Sequence, residues 1–162
     1  MTELLKKIDK AFENKFSSFW IHFLSHNVLR TRFLIKKIAN INDALIIQAI
    51  SWHHYLLSIQ DNETLLNSTF NEALNKWNED FSITNKKLTI SNVADLTYIP
   101  FETVRRHVKY LQKKGWVKYS RKNTIIFNSN SDINNIIFNE IHLNEKNLIK
   151  KALNFFLKAY NS

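Results

Sequence analysis

One glycine, Gly115, and one proline, Pro100, serve all 162 residues of the chain, and no other feature limits its folding as sharply. Glycine supplies the positive-φ positions of tight turns and of loops that wrap phosphate groups. A chain with a single one has neither a P-loop nor a dinucleotide fingerprint, and a many-turned all-β fold is equally foreclosed. Average usage would place roughly 11 Gly and 8 Pro in this length. Cysteine is missing too, so collagen-like, linker-rich and disulfide-stapled classes drop out. The expectation is a mainly α fold.

A hydrophobic content of 44% with 13% aromatic residues allows a real core, and the length suits one domain or a small domain with extensions. No secretory signal is visible at the N-terminus. The most apolar stretch, residues 12–38, is interrupted by Lys15, His22, His26, Asn27, Arg30 and Arg32. That is too polar for the ~20 apolar residues of a membrane span, so no membrane partner is expected.

The distribution of charge says more than its total of +9. Residues 1–85 are neutral, with nine basic and nine acidic side chains, and residues 132–162 carry +1. Residues 86–131 hold ten Lys/Arg against only Asp95 and Glu102, a net charge of +8 in about a quarter of the chain. A concentrated basic patch on a folded segment is the footprint of a polyanion binder, because cations that neutralise phosphates release condensed counterions. Charge alone does not separate this from a solvated face. The pattern inside the segment has to decide.

Apolar residues from Thr2 to about Asn40 fall at helical spacing: Leu4, Ile8, Phe12, Phe16, Phe19, Phe23 and Leu24, widened by Trp20, Val28 and Leu29. One or two long helices are predicted there. Asn42 or Asp43 is the expected cap of a second helix through Ile59, carrying Leu45, Ile46, Ala49, Trp52, Leu56 and Ile59. A third would carry Leu65, Leu66, Phe70, Leu74, Trp77 and Phe81, after punctuation at Asp61 and Asn62. Asp132 to Ile141 and Glu145 to Tyr160 read as two more, the last with Leu148, Ala152, Phe155, Phe156 and Ala159 on its apolar side.

Between these arms, Ser91 is the expected cap of a short helix over Asn92 to Thr97, with Ala94 small enough for a second helix to cross closely. Ile99-Pro100 ends that helix and begins another, since proline disfavours the α conformation before it but suits a helix start. Glu102 falls in the first turn of the new helix, where a carboxylate complements the dipole. Val104, Val108 and Leu111 share one side, and Lys113-Lys114-Gly115 is a strong stop signal. Trp116 to Arg121 and Thr124 to Asn128 are β-prone runs joined by Lys122-Asn123, which suits a tight hairpin. Short helix, sharp turn, amphipathic helix and basic hairpin, in that order, make a winged helix-turn-helix with a small β-hairpin wing.

The stretch of about residues 88–128 resembles the winged-helix DNA-binding domain of bacterial transcription regulators of the MarR-like and Crp-type groups. The resemblance is carried by Val93-Ala94, Ile99-Pro100, Glu102-Thr103-Val104-Arg105-Arg106, Leu111 and Lys114-Gly115-Trp116-Val117. One departure stands out: the turn position such domains usually give to glycine is Tyr98. A non-glycine residue with positive φ is uncommon, which implies another turn geometry or some strain.

In such domains the second helix, here about residues 101–114, enters the major groove with its N-terminal half on base edges. With Val104, Val108 and Leu111 inward, Glu102, Arg106, Lys109 and Lys113 face outward, flanked by Thr103 and Tyr110. Arg106 is the leading candidate for direct readout, since a guanidinium pairs bidentately with guanine. Thr103, Arg105 and His107 are further candidates for bases or phosphates, and Lys118, Arg121 and Lys122 for phosphates or the minor groove from the hairpin.

His22 and His26 have a metal-ligand spacing, but no Cys and no matching pair support them, and a core or interface role is favoured. His53 and His54 point to different sides of their helix. Neither a metal nor a cofactor is expected. Trp52, Tyr55, Trp77 and the N-terminal phenylalanines are candidates for a small apolar effector pocket, although aromatics at helical spacing are more often core. Nothing groups a nucleophile, base and oxyanion donor, so an enzyme is the least supported class.

The sequence therefore predicts a cytoplasmic, nucleoid-associated, sequence-specific double-stranded-DNA-binding transcription regulator. Residues 1–85 would form a helical dimerisation and effector region, 86–130 the winged helix-turn-helix, and 131–162 C-terminal helices packed on the N-terminal ones in a homodimer. Two other classes compete: a non-regulatory DNA binder, such as a replication initiator or nucleoid protein, and a winged-helix protein-interaction module.

Overall fold

Mainly helical structure with one small two-stranded hairpin is what the sequence pattern builds, as seen in a computed structural model that describes residues 3–61, 88–120, 124–128 and 131–161. Two compact units divide the chain: Met1–Lys37 together with Ile136–Ser162, and Ile38–Asn135. This division differs from the boundaries expected near residues 85 and 130. The reason is helix α2 (Ile41–Asp61), which packs on the central elements rather than standing with the N-terminal helix. The predicted helix carrying Leu65 to Phe81 lies outside the described residues.

Within Ile38–Asn135, α2 starts on Asn40, not on Asn42 or Asp43. The Asn40 side-chain oxygen accepts the Asp43 backbone N–H at 3.0 Å, and its amide donates to the Asp43 carboxylate. Asn40 thus satisfies an end-of-helix donor that has no partner inside the helix. Ile46, Ala49 and Ile50 are buried, while Leu45, Trp52 and Leu56 of the expected apolar side remain exposed.

Helix α3 (Ile90–Thr97) is capped by Thr89, two residues before the expected Ser91. The Thr89 hydroxyl accepts from Asn92 N–H at 3.2 Å, and the Asn92 side chain accepts from Thr89 N–H at 3.0 Å. This reciprocal box satisfies two donors at once, which a cap at Ser91 would not. Tyr98 ends the helix in the left-handed region, φ 55° and ψ 20°. A side chain there crowds the following carbonyl and costs roughly 1–2 kcal/mol.

Pro100 (φ −53°, ψ 137°) leads into α4 (Phe101–Lys113), whose first turn closes with Val104 N–H on the Pro100 carbonyl at 3.0 Å. The helix ends at Gly115, φ 79°. Gly115 N–H bonds the Gln112 carbonyl at 3.1 Å and Trp116 N–H bonds the Leu111 carbonyl at 3.0 Å, the paired 5→2 and 6→1 bonds of a Schellman motif. Leu111 and Trp116, which this motif brings together, are both buried.

Strands β1 (Val117–Tyr119) and β2 (Ile125–Phe127) pair antiparallel with Val117 opposite Phe127 and Tyr119 opposite Ile125. Both are shorter than the runs predicted. Ile125 N–H also bonds the Leu88 carbonyl at 2.8 Å, fastening the hairpin to the chain entering α3. Helix α2 packs on α3, α4 and β2, and α4 packs on α3 and β1.

The C-terminal residues form α5 (Ser131–Ile136), a wider π-type turn over Ile137–His142, and α6 (Leu143–Asn161). The break expected between Ile141 and Glu145 is absent, since helix continues through it, and the π turn lies mostly within the first of the two predicted helices. Near the N-terminus, α1 (Glu3–Ile38) consists of two helical segments that meet at a kink where Lys15 has non-helical backbone angles (φ −125°, ψ 20°). Inside their unit, Arg30 pairs with Glu145 at 2.7 Å, Lys37 pairs with Glu140, and Phe19 meets Phe155 edge-on. Burial alone would raise the Glu145 carboxyl, but hydrogen bonds from His142 and Arg30 and their positive charge outweigh it and hold it below the usual range. Much of the apolar stripe of α1 is exposed: Phe12, Phe16, Trp20, Phe23, Leu24, Val28 and Leu29. Ile149, Leu153 and Leu157 on α6 are exposed as well. Among the described residues no helix is long and apolar enough to cross a membrane.

Two stability predictions follow from these details. Gly115→Ala places a Cβ at positive φ and should cost about 1–2 kcal/mol, read as a lower midpoint in urea unfolding without a change in slope. His54 is buried, and its pKa falls from the usual 6.5 to about 4, through burial first and the neighbouring His53 charge second, with a hydrogen bond to the Ile125 backbone acting the other way. Because the folded pKa is depressed, its contribution is complete above about pH 6.5 and is lost as pH falls toward 4. Between pH 7.5 and 5 the wild type should lose about 2 kcal/mol that a His54→Gln variant does not lose, measured by urea unfolding at the two pH values.

Candidate nucleic-acid interface

The two faces of α4 are chemically opposite. Val104, Val108 and Leu111 have no exposed surface, whereas Glu102, Arg105, Arg106, Lys109, Tyr110 and Lys113 all face solvent. Helical spacing sets Arg106, Lys109 and Lys113 along one ridge of about 10 Å, at 1.5 Å per residue. No acidic side chain among the described residues pairs with any of these three cations. Lys114 lies over the Tyr110 ring at 5.8 Å, so the basic surface continues past the helix end.

Arg105 is held differently. Its guanidinium meets the Glu102 carboxylate one turn earlier, with Nε at 2.8 Å and Nη2 at 2.6 Å. The pair is exposed, which limits its worth to stability, but it fixes the orientation of Arg105 and offsets its charge. Glu102 is therefore better described as the partner of Arg105 than as an independent contact.

His107 is turned inward. Its Nδ1 lies 2.7 Å from Oδ1 of Asp43, its side chain keeps only 15% of its surface exposed, and Asp43 has none. The contact orients the ring from α2. The expected reach of His107 toward bases or phosphates gives way to this contact, which ties α4 to the first turn of α2. Thr103 is likewise half-buried.

On the hairpin, Lys118 is exposed while its neighbour Val117 is buried, the alternation that a strand imposes. Gln112 donates to the Tyr119 carbonyl at 3.3 Å and Asn128 to the Gly115 carbonyl at 2.7 Å, so side chains also brace the hairpin against the end of α4. Arg121 and Lys122 lie outside the described residues.

Two residues of this region were not legible in their roles. Asp43 reads locally as a helix cap, and its partner His107 lies 64 residues further on, a distance no spacing rule covers. Tyr98 reads as a departure in the turn, yet it is the most exposed of the large hydrophobic residues described, at 96%.

Elsewhere, the His22 ring packs on Phe155 with centroids 3.8 Å apart, and no group of three or more metal-ligating side chains occurs among the described residues. Of the residues considered for an effector pocket, Trp77 and the side chain of Tyr55 lie outside the described residues, and Trp52 is exposed. No protein-family model matches this sequence, and neither a curated protein nor a solved structure matches it.

Proposed function

We propose that the chain is a sequence-specific, double-stranded-DNA-binding transcription regulator, with α3, the Tyr98–Pro100 turn, α4 and the β1–β2 hairpin acting as a winged helix-turn-helix. The observation that carries this reading is the cationic ridge Arg106, Lys109 and Lys113, set on a helix whose other face is wholly buried. Such a helix presents its charge as a rigid body, fits a major groove about 12 Å wide, and aims side chains of one sign at phosphate and base edges. Arg106, in the N-terminal half and with its fork unengaged by any described carboxylate, is positioned for guanine. Lys118 on the hairpin suits the adjacent backbone.

One recognition helix covers one half-site, so specific binding calls for two copies. The exposed apolar residues of α1, Phe16, Trp20 and Phe23 among them, support a homodimer, because a contiguous apolar face in water is normally covered by a partner. Two α4 helices about one DNA turn apart would then occlude a promoter or recruit to it.

The wild type should bind duplex DNA with an affinity that falls steeply with salt. Sequences enriched from a randomised pool should lose about 1–3 kcal/mol with Arg106→Ala, and random duplex much less. Lys118→Ala should instead weaken all sequences alike and reduce the salt slope by about 1. Equal losses on both DNAs for Arg106→Ala would remove it from direct readout, and a partner retained at high salt would favour a protein-interaction module. Sedimentation equilibrium should show a dimer that Trp20→Glu converts to monomer, with the helical content of the chain unchanged.

A further inference from the structure

Tyr98 is costly to the fold in two ways at once. It occupies the left-handed region that glycine or asparagine adopts more readily, and it holds an aromatic ring 96% exposed. Among the described residues no hydrogen bond or ring contact to its side chain offsets either cost. A tyrosine kept for packing would be buried, and a residue kept for the turn would be small. The ring flanks the start of α4, with Leu96 and Phe101 half-exposed on either side of the turn.

We propose that Tyr98 is a DNA-contacting residue whose hydroxyl donates a hydrogen bond to a backbone phosphate at the edge of the groove that α4 enters. The inference rests on the DNA-binding reading and deepens it. When the N-terminal half of a helix lies in the major groove, the turn before it passes over the flanking phosphate strand. Tyrosine reaches out from such a turn and carries one O–H donor, while phosphate oxygens only accept. Charge complementarity selects the occupant: the helix that follows carries Arg106, Lys109 and Lys113 into solvent, and the whole segment is +8.

The test uses the full chain and a fluorescein-labelled duplex of mixed sequence, because a phosphate contact does not depend on the bases. Tyr98→Phe keeps the ring and the backbone conformation and removes only the hydroxyl. It should weaken binding about fivefold, the size of one net hydrogen bond, and leave the salt slope unchanged because no charge is removed. Tyr98→Asn, which relieves the turn, should weaken binding at least as much while its thermal midpoint equals or exceeds that of the wild type. Duplex affinity of Tyr98→Phe equal to the wild type overturns the proposal, as a protein partner for Tyr98 would produce. A thermal midpoint of Tyr98→Asn below the wild type overturns it too, because the tyrosine would then be serving the fold. Failure of the wild-type chain to bind any duplex is the separate result that removes the DNA-binding reading itself.

Discussion

The arrangement of the Ile38–Asn135 unit depends on the complete burial of Val104, Val108 and Leu111 along one side of α4. Each such side chain contributes about 1.5–3 kcal/mol when removed from water. Alpha4 is also rich in charge, with Arg105, Arg106, Lys109 and Lys113 among its 13 residues, so this narrow apolar stripe is its main apolar attachment to the unit. Three elements converge on it: α2, α3 and β1. Because the stripe admits one rotational setting of the helix, the same packing that stabilises the unit also determines which cations face solvent.

Polar contacts refine that setting. The Asp43–His107 hydrogen bond fixes α4 against the start of α2, inside a region where a lone carboxylate would be expensive. Asn40 supplies a second partner to the same carboxylate, so the buried side chain is held from two sides rather than left against an apolar core. At the other end of α4, the Schellman bonds around Gly115 turn the chain straight into β1, and Asn128 closes back on the Gly115 carbonyl. The hairpin is thus joined to the helix through backbone geometry, which keeps Lys118 and the α4 ridge on one rigid body. This coupling is what gives the proposed interface a defined shape instead of a set of loose charges.

How far the sequence was legible varies with the range of the interaction. The face of α4 could be read because helical periodicity is local, and Val104, Val108 and Leu111 obey it. Pro100 and Gly115 marked its ends for the same reason, each restricting only its own φ. Caps were read less well: Ser91 and Asn42 or Asp43 were expected where Thr89 and Asn40 act. Several capping residues stand side by side at both starts, and the choice falls to the residue whose side chain also completes a reciprocal bond, with Asn92 in one case and Asp43 in the other. His107 departs from the expected outward reach because its position on the helix wheel lies between the two faces, and a carboxylate from another helix draws it inward. The aromatic stripe of α1 has correct helical spacing, yet spacing alone does not say whether the covering surface comes from the same chain.

Composition and periodicity by themselves determined that this protein is mainly helical, that its basic charge is concentrated in one segment, and that the segment contains a helix bounded by its only proline and only glycine. These are properties of single residues and their near neighbours along the chain. Only the tertiary structure decided that α2 belongs to the central unit, that Asp43 captures His107, and that Tyr98 accepts a left-handed turn and stands fully in solvent. Each of those outcomes depends on which surfaces meet in space, and burial and hydrogen-bond partnership are pairwise quantities that no position in the sequence carries alone.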